Sequence, residues 1–292
     1  MELKYLNTFK TILETGSFLN AARKLNYTQS TVTFQMQQLE QELSVKLFEK
    51  IGRKMMITQA GKDVLPYVDT ILQSAEQLAN YGKDILQITG TLKVSMPETL
   101  LTYRMQPILK AFRQQAPGVK LSVQALNCYT IRDRIVNGGA DVGIHYDVGG
   151  YGTTTVIEKL AVFPLALVAC PSLKDQNCDF ITPNQRKCVC LITNDRESIF
   201  QKMFDNYLEE KGIVLDGIME LGSIEAIKRS VASDLGISYL PRYVVEDELA
   251  NGTLIELETG IADEITTICS YHKNKWITPA MELFIRMLRE NL

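Results

Sequence analysis

The chain has 292 residues, 46% of them apolar and 22% charged, a balance that fits folded globular protein with room for two domains or more and excludes a disordered chain. Its start lacks the basic segment and apolar core of a signal peptide, and the longest nearly apolar run, residues 160–170, is too short to span a bilayer and contains Pro164. A cytoplasmic protein without membrane contact is therefore expected. The formal charge of −3 is unevenly spread: through Thr58 eight Lys/Arg stand against five Asp/Glu, which is +3, so the remainder carries −3 − 3 = −6. A basic module on an acidic body suits an anionic partner held at one end.

In chain order, Leu6, Phe9, Ile12 and Leu13 recur at helical spacing and predict a first helix over 3–15, ended by Gly16. Ser17 is placed to cap a second helix whose inner face carries Phe18, Ala21, Ala22 and Leu25. The two alanines allow another helix to come close. Asn26 suits the left-handed conformation of a tight turn, and Thr28 then caps a third helix to about Leu43. Val32, Met36, Leu39 and Leu43 form its buried stripe. Opposite lie Ser30, Thr33, Phe34 and Gln37, a polar face almost without charge. Amide and hydroxyl groups read base edges in a major groove, where carboxylates would meet phosphates. Gln29 and Ser30, in the first turn, also sit where free backbone N–H groups can meet a phosphate. Next, Leu47 and Phe48 anchor a hairpin turning at Gly52, with Lys50, Arg53 and Lys54 clustered as a basic wing.

The stretch GSFLNAARKLNYTQSTVTFQMQQLEQELSVKLFEKIGRKMMITQAG resembles the N-terminal winged helix-turn-helix of LysR-type transcriptional regulators. The resemblance lies in the GSF–AA–L start, the hydroxyl- and Gln-rich helix ending in LE, the following LF, the basic wing and the closing IT-AG. It implies DNA contacts at Gln29, Ser30, Thr33, Phe34 and Arg53. The family often has Arg where Lys50 stands, and a polar or basic residue where Phe34 stands. Phe34 retains the option of a thymine methyl contact.

Thr58 can cap a long helix in which Val64, Val68, Ile71, Ala75, Leu78, Gly82 and Ile85 are spaced alternately by four and three. Leu65, Leu72, Ala79 and Leu86 make a second row. A 3.5-residue period held over three heptads predicts pairing with a second helix, the alternative being a single amphipathic helix packed on its own domain, and Pro66 should bend or interrupt one turn. The resemblance agrees, because the family dimerises through this helix and commonly assembles as a dimer of dimers. A homodimer, extended to a homotetramer, on double-stranded promoter DNA is the expected assembly.

After residue 89 the pattern becomes α/β. Strands at 91–96, 119–125 and 140–146 alternate with helices at 102–115 and 130–138, which predicts a parallel sheet covered by helices. A second series places strands at 165–170, 189–193 and 218–221 and helices at 198–212 and 223–234. The end of the chain returns to the first series. The expected fold is thus an N-terminal winged helix-turn-helix (1–58), a linker helix (59–88) and a two-lobed effector domain (89–292) that resembles periplasmic solute-binding proteins. Lobe I takes about 89–162 and 266–292, lobe II about 163–265. Ligands of open α/β sheets bind beyond the carboxyl ends of strands, which selects the loops at 97–100, 127–130, 193–195 and 222–223, with His145 ending a further strand. The resemblance implies that Thr99, Asn127, Thr130, Thr193 and Ser223 hold a small effector, with Leu100, His145 and Asn194 beside them. Glu98 and Asp195 disfavour a purely anionic ligand.

Other classes find little support. The two histidines, His145 and His272, are far apart, without zinc-site spacing. No GxSxG occurs, and GGYG at 149–152 lacks the Lys-Ser/Thr of a phosphate loop. No cofactor or enzymatic activity is expected, although a cytoplasmic small-molecule-binding protein or an enzyme of unknown type is the alternative of another class. Within the regulator class the alternative is a cysteine-based redox sensor. Of the cysteines 128, 170, 178, 188, 190 and 269, it would use Cys178 and Cys188.

Overall fold

The structure, a computed structural model, describes residues 1–51, 54–80, 88–173, 178–261 and 263–292. The chain divides into two compact units, Met1–Lys83 and Asp84–Leu292.

The first unit packs three short helices against a hairpin and a longer helix. Helix α1 (Leu3–Thr15) stops at Gly16, whose φ of 71° is left-handed. The Ser17 hydroxyl accepts the Asn20 N–H at 3.1 Å to start α2 (Phe18–Leu25), which ends at Asn26 with φ 56°. Thr28 accepts the Thr31 N–H at 3.2 Å to start α3 (Gln29–Leu43). Such caps contribute roughly 1 kcal/mol each. Ala21 and Ala22 are buried with Leu6, Phe9, Val32, Met36 and Leu39 in one core. A buried polar tie joins α1 to α3, where the Thr8 hydroxyl donates to Gln35 Oε1 at 2.6 Å.

The hairpin of β1 (Phe48–Ile51) and β2 (Lys54–Ile57) runs antiparallel from Phe48↔Ile57 to Ile51↔Lys54. Phe48 sets its ring edge-on to Phe9 and Phe18, with centroids 5.5 and 5.3 Å away. Glu40, near the end of α3, accepts the N–H groups of Leu47 at 2.9 Å and Phe48 at 3.3 Å, which fixes where the hairpin leaves the helices. Thr58 caps α4 (Gln59–Asn80) by accepting the Gly61 N–H at 3.0 Å. A Cβ on Gly61 would lie 2.6 Å from the Leu47 carbonyl oxygen, so only glycine lets α4 start this close to the hairpin.

Of the two outcomes expected at Pro66, the interruption does not occur, since the helix runs through it. One expectation for α4 needs correction. Val68, read as part of a pairing seam, is instead only 1% exposed within its own module, and Val64 packs partly against the same core. Among its described residues the exposed large apolar side chains are Tyr67, Ile71 and Leu78, at 72, 36 and 78%, with Ala75 half-buried. Ile85 lies outside the described residues.

The second unit is built on a seven-stranded sheet. Strand β3 (Gly90–Met96) pairs in parallel with β4 (Val119–Ala125) and β5 (Val142–Tyr146). Helices α5 (Glu98–Tyr103), α6 (Gln106–Gln115) and α7 (Cys128–Val136) make the connections. The single helix expected over 102–115 is two, because the chain turns at Arg104–Met105 and restarts with Pro107 in the first turn of α6.

The sequence also hid a long strand. Strand β6 (Thr155–Ala169) was expected only from residue 165, yet nine of its first ten residues pair antiparallel with β11 (Glu264–His272), with Leu160 left out at a register shift. From Leu165 onward β6 pairs instead with β9 (Ser238–Pro241) and β10 (Ile255–Leu257). Pro164 sits opposite Glu264, where the partners change, and has no N–H to leave unpaired. Strand β7 (Arg186–Thr193) lies parallel to β8 (Val214–Glu220), and the helices around them are α8 (Ile199–Lys211), α9 (Ile224–Ala232) and α10 (Glu246–Ala250). The final helix, α11 (Pro279–Asn291), packs Phe284 edge-on against Phe112 of α6 at 5.2 Å. The chain thereby returns to its first series of strands, as expected.

Candidate functional site

One face of the first unit is polar, exposed and free of charge. On α3, Gln29, Ser30, Phe34 and Gln37 are exposed and Thr33 is half-buried. Phe34 stands 55% exposed among them, with no core role. Thr33 spends its hydroxyl on the Gln29 carbonyl at 2.9 Å, and the Ser30 hydroxyl shares a 2.9 Å bond with Thr28. The amides of Gln29 and Gln37 and the ring of Phe34 are therefore the groups this face presents outward. Lys50 is exposed on β1. Lys54 begins β2 through its backbone, and Arg53 lies outside the described residues.

In the second unit the carboxyl ends of β3, β4 and β7 meet the starts of α5, α7 and α8 around a cleft of about 390 Å³. Its lining includes Glu98, Thr99, Asn127, Tyr146, Asn194, Asp195, Phe200 and Glu220. A chain of hydroxyls closes its floor, because Tyr146 Oη lies 2.6 Å from both Thr99 Oγ1 and Tyr243 Oη. Burial pushes the Tyr146 phenol well above its ordinary pKa and that of Tyr243 up to about 12, so both remain neutral donors at physiological pH. Burial likewise pushes the Cys128 thiol up to about 12, which leaves it unreactive.

Side chains reach across this cleft. Asn127 donates to Asp195 at 3.1 Å, and Glu98 Oε1 accepts the Ile224 N–H at the start of α9 at 3.3 Å. Beside them Tyr103 donates to Glu225, and Lys228 lies 3.2 Å from the Tyr103 hydroxyl, 3.0 Å from Glu225 and 2.7 Å from Glu248.

Of the effector candidates, Thr99, Asn127 and Asn194 line the cleft, and the others are not part of its lining. His145 is fully buried: Nε2 lies 2.8 Å from Ser270 Oγ and Nδ1 2.9 Å from the Tyr146 carbonyl oxygen. Alternation along β5 turns it away and gives the cleft Tyr146 instead. Burial lowers the His145 ring to about 4, so it is a neutral structural group. Leu100 is a core residue of α5. Thr130 supplies its backbone N–H to the Asn127 cap and stays exposed outside the lining. Thr193 is 4% exposed and bonds back to the Asp195 carbonyl at 3.5 Å. Ser223 precedes α9 without a side-chain cap bond and does not line the cleft. Sequence reasoning missed Phe200 and Glu220. Strand alternation from Ile218 would have found Glu220; nothing local marks Phe200.

Among the described residues no group of histidine, cysteine and carboxylate side chains is arranged to hold a metal, and no helix is long and apolar enough to cross a membrane. Cys188 is exposed on β7 and Cys178 half-buried. GGYG forms a loop in which the Tyr151 hydroxyl accepts the Val148 N–H at 3.0 Å.

A reading helix with a wing, joined to a two-lobed α/β unit with a cleft, defines a ligand-responsive DNA-binding regulator. The chain belongs to the LysR family: residues 3–62 match its bacterial regulatory helix-turn-helix model and residues 87–292 its LysR substrate binding domain model. It is thus a LysR-type transcriptional regulator. It is 45% identical over 292 residues to the HTH-type transcriptional regulator YfiE of Escherichia coli K12, covering 100% of this chain and 99% of that one. With YwqM of Bacillus subtilis it shares 32% over 291 residues, covering 99% of each. The fold matches CbnR solved in complex with its target DNA, with a TM-score of 0.64, 22% identity and full coverage of both chains.

Proposed function

We propose that this regulator binds double-stranded promoter DNA through α3 and the wing, as a homodimer that pairs into a homotetramer, and that a small molecule in the cleft of the second unit sets its activity. It acts by binding alone, without a cofactor, in the cytoplasm. The observation that carries the DNA reading is the exposed face of α3, where Gln29, Gln37 and Phe34 offer amide and apolar contacts and no carboxylate. Ile71, Ala75 and Leu78 with Tyr67 form the pairing surface, since Val68 and Val64 serve their own module. Two such modules read two half-sites about 34–36 Å apart or a multiple of that. The cleft supports an effector because its floor is a preformed set of neutral hydroxyls and side chains bridge it. A ligand that favours one lobe arrangement shifts the regulator by as much as its preference between states.

Selection from a random duplex pool by the full-length chain tests this reading. Two inverted half-sites should emerge, and Gln29→Ala or Arg53→Ala should weaken binding to them. Unchanged affinity in both variants would refute these contacts.

A further inference from the structure

The cleft is acidic. Three of its lining side chains, Glu98, Asp195 and Glu220, are carboxylates, and none is Lys, Arg or His. Among the described residues none of the three forms an ion pair. Asp195 takes an amide hydrogen bond from Asn127 on one oxygen and the Glu197 N–H at 2.8 Å on the other, and Glu98 takes a backbone N–H, all neutral donors.

At the starts of α7, α8 and α9 one backbone donor is already taken by a side chain of the protein itself, whereas α5, which starts after Pro97, has no side-chain cap. Asn127 Oδ1 accepts the Thr130 N–H at 2.8 Å at the start of α7, and the Ser198 hydroxyl accepts the Gln201 N–H at 3.3 Å at the start of α8. At α9 the first N–H is held by the carboxylate of Glu98, so the chain's own anion fills that seat. A ligand carboxylate at the start of α9 would have to displace Glu98, in a cleft that also holds Asp195 and Glu220. Asn194 adds an independent sign: its Oδ1 is buried and accepts no hydrogen bond, and an unmet buried acceptor of this kind is costly unless a donor arrives. Phe200 and Tyr146 supply aromatic surface, and Leu126 and Ile199 aliphatic surface, for an organic body.

We propose that the effector of this cleft is a small organic cation, whose ammonium or guanidinium group is held among Asp195, Glu98 and Glu220 with one N–H donated to Asn194 Oδ1. The proposal rests on reading the cleft as the effector site. Charge-assisted hydrogen bonds from N–H donors to carboxylates supply the anchor, and the apolar walls select the body behind it.

The test is a thermal-shift and calorimetric series on the full-length chain. Its probes are 3-methylbutylamine, phenethylamine and agmatine, each set against the carboxylate and the amide of a matching skeleton. At least one amine or guanidine should bind where its carboxylate and amide do not, and Asp195→Asn and Glu220→Gln should each weaken it about tenfold or more. Glu220 is exposed, so its variant tests charge without threatening the fold. Preferential binding of a carboxylate, strengthened by Glu220→Gln, would overturn the cationic class while leaving the cleft as the effector site. A cation whose affinity ignores Asp195→Asn, Glu220→Gln and Thr99→Ala alike lies outside the cleft, and a chain that binds none of the probes has no cation site there. Either result overturns the proposal, and the first also removes support for an effector in this cleft.

Discussion

The outward face of α3 and the cleft of the second unit are both polar, yet they manage charge in opposite ways. The helix face carries no carboxylate among Gln29, Ser30, Thr33, Phe34 and Gln37, whereas the cleft carries three and no cation. On the proposed reading, a surface that approaches a polyanion dispenses with acids. A pocket that selects one small molecule can concentrate a single sign of charge, because low-dielectric walls sharpen its field. On the two proposals, neutrality and acidity are two answers to the same requirement, matching the charge of the partner.

The sharpest way to break the contrast is to place an acid on the helix face. Ser30→Glu sets a carboxylate in the first turn of α3 and should weaken operator binding about 100-fold, near 3 kcal/mol, with the melting temperature unchanged; fluorescence anisotropy on a labelled duplex measures it. Next in size is acid sensitivity in the second unit. His145 has a folded pKa of about 4, below the unfolded value near 6.5, so the unfolded chain takes up the proton first. Its contribution is complete above pH about 6.5 and is lost as pH falls toward 4, at up to ~1.4 kcal/mol per pH unit and about 3 kcal/mol in all. Urea titrations across that window should show the loss, and His145→Gln should flatten it.

A smaller effect is expected at the cleft floor. Tyr146→Phe removes the hydroxyl between Thr99 and Tyr243 and should cost about 1–2 kcal/mol of stability, read by calorimetry, without altering DNA affinity when no effector is present. Least of all, Lys50→Ala should reduce the salt dependence of DNA binding by about 0.9 in the log–log slope, the share of one phosphate contact.

Legibility in the sequence followed locality. The helix boundaries of the first unit were readable because Ser17, Asn26, Thr28 and Thr58 act within a few residues of themselves. The inward turn of Val68 was not, since a 3.5-residue stripe looks the same whether it meets a neighbouring helix or its own core. Strand β6 escaped because its first ten residues alternate only weakly and, Leu160 aside, gain their partner from β11, about a hundred residues further on. In the cleft, residues flanking helix starts were findable as a class. Which of them point inward depended on strand alternation, and a shift of one position exchanged His145 for Tyr146.

The exchange of partners at Pro164 bears on how the chain folds. Glu264 faces Pro164 across the strand pair, so the whole segment between them is a closed loop on the β6–β11 pair, with β9 and β10 on the same seven-stranded sheet and β7 and β8 in a sheet of their own. Bringing the ends of a loop of about a hundred residues together costs about 4 kcal/mol of entropy. If that segment collapses first around β7, β8 and α8, its two ends already lie side by side and most of this cost has been met before β11 docks. The inserted lobe would then serve as the template on which the surrounding one completes itself, and the order of assembly would run from the middle of the sequence outward.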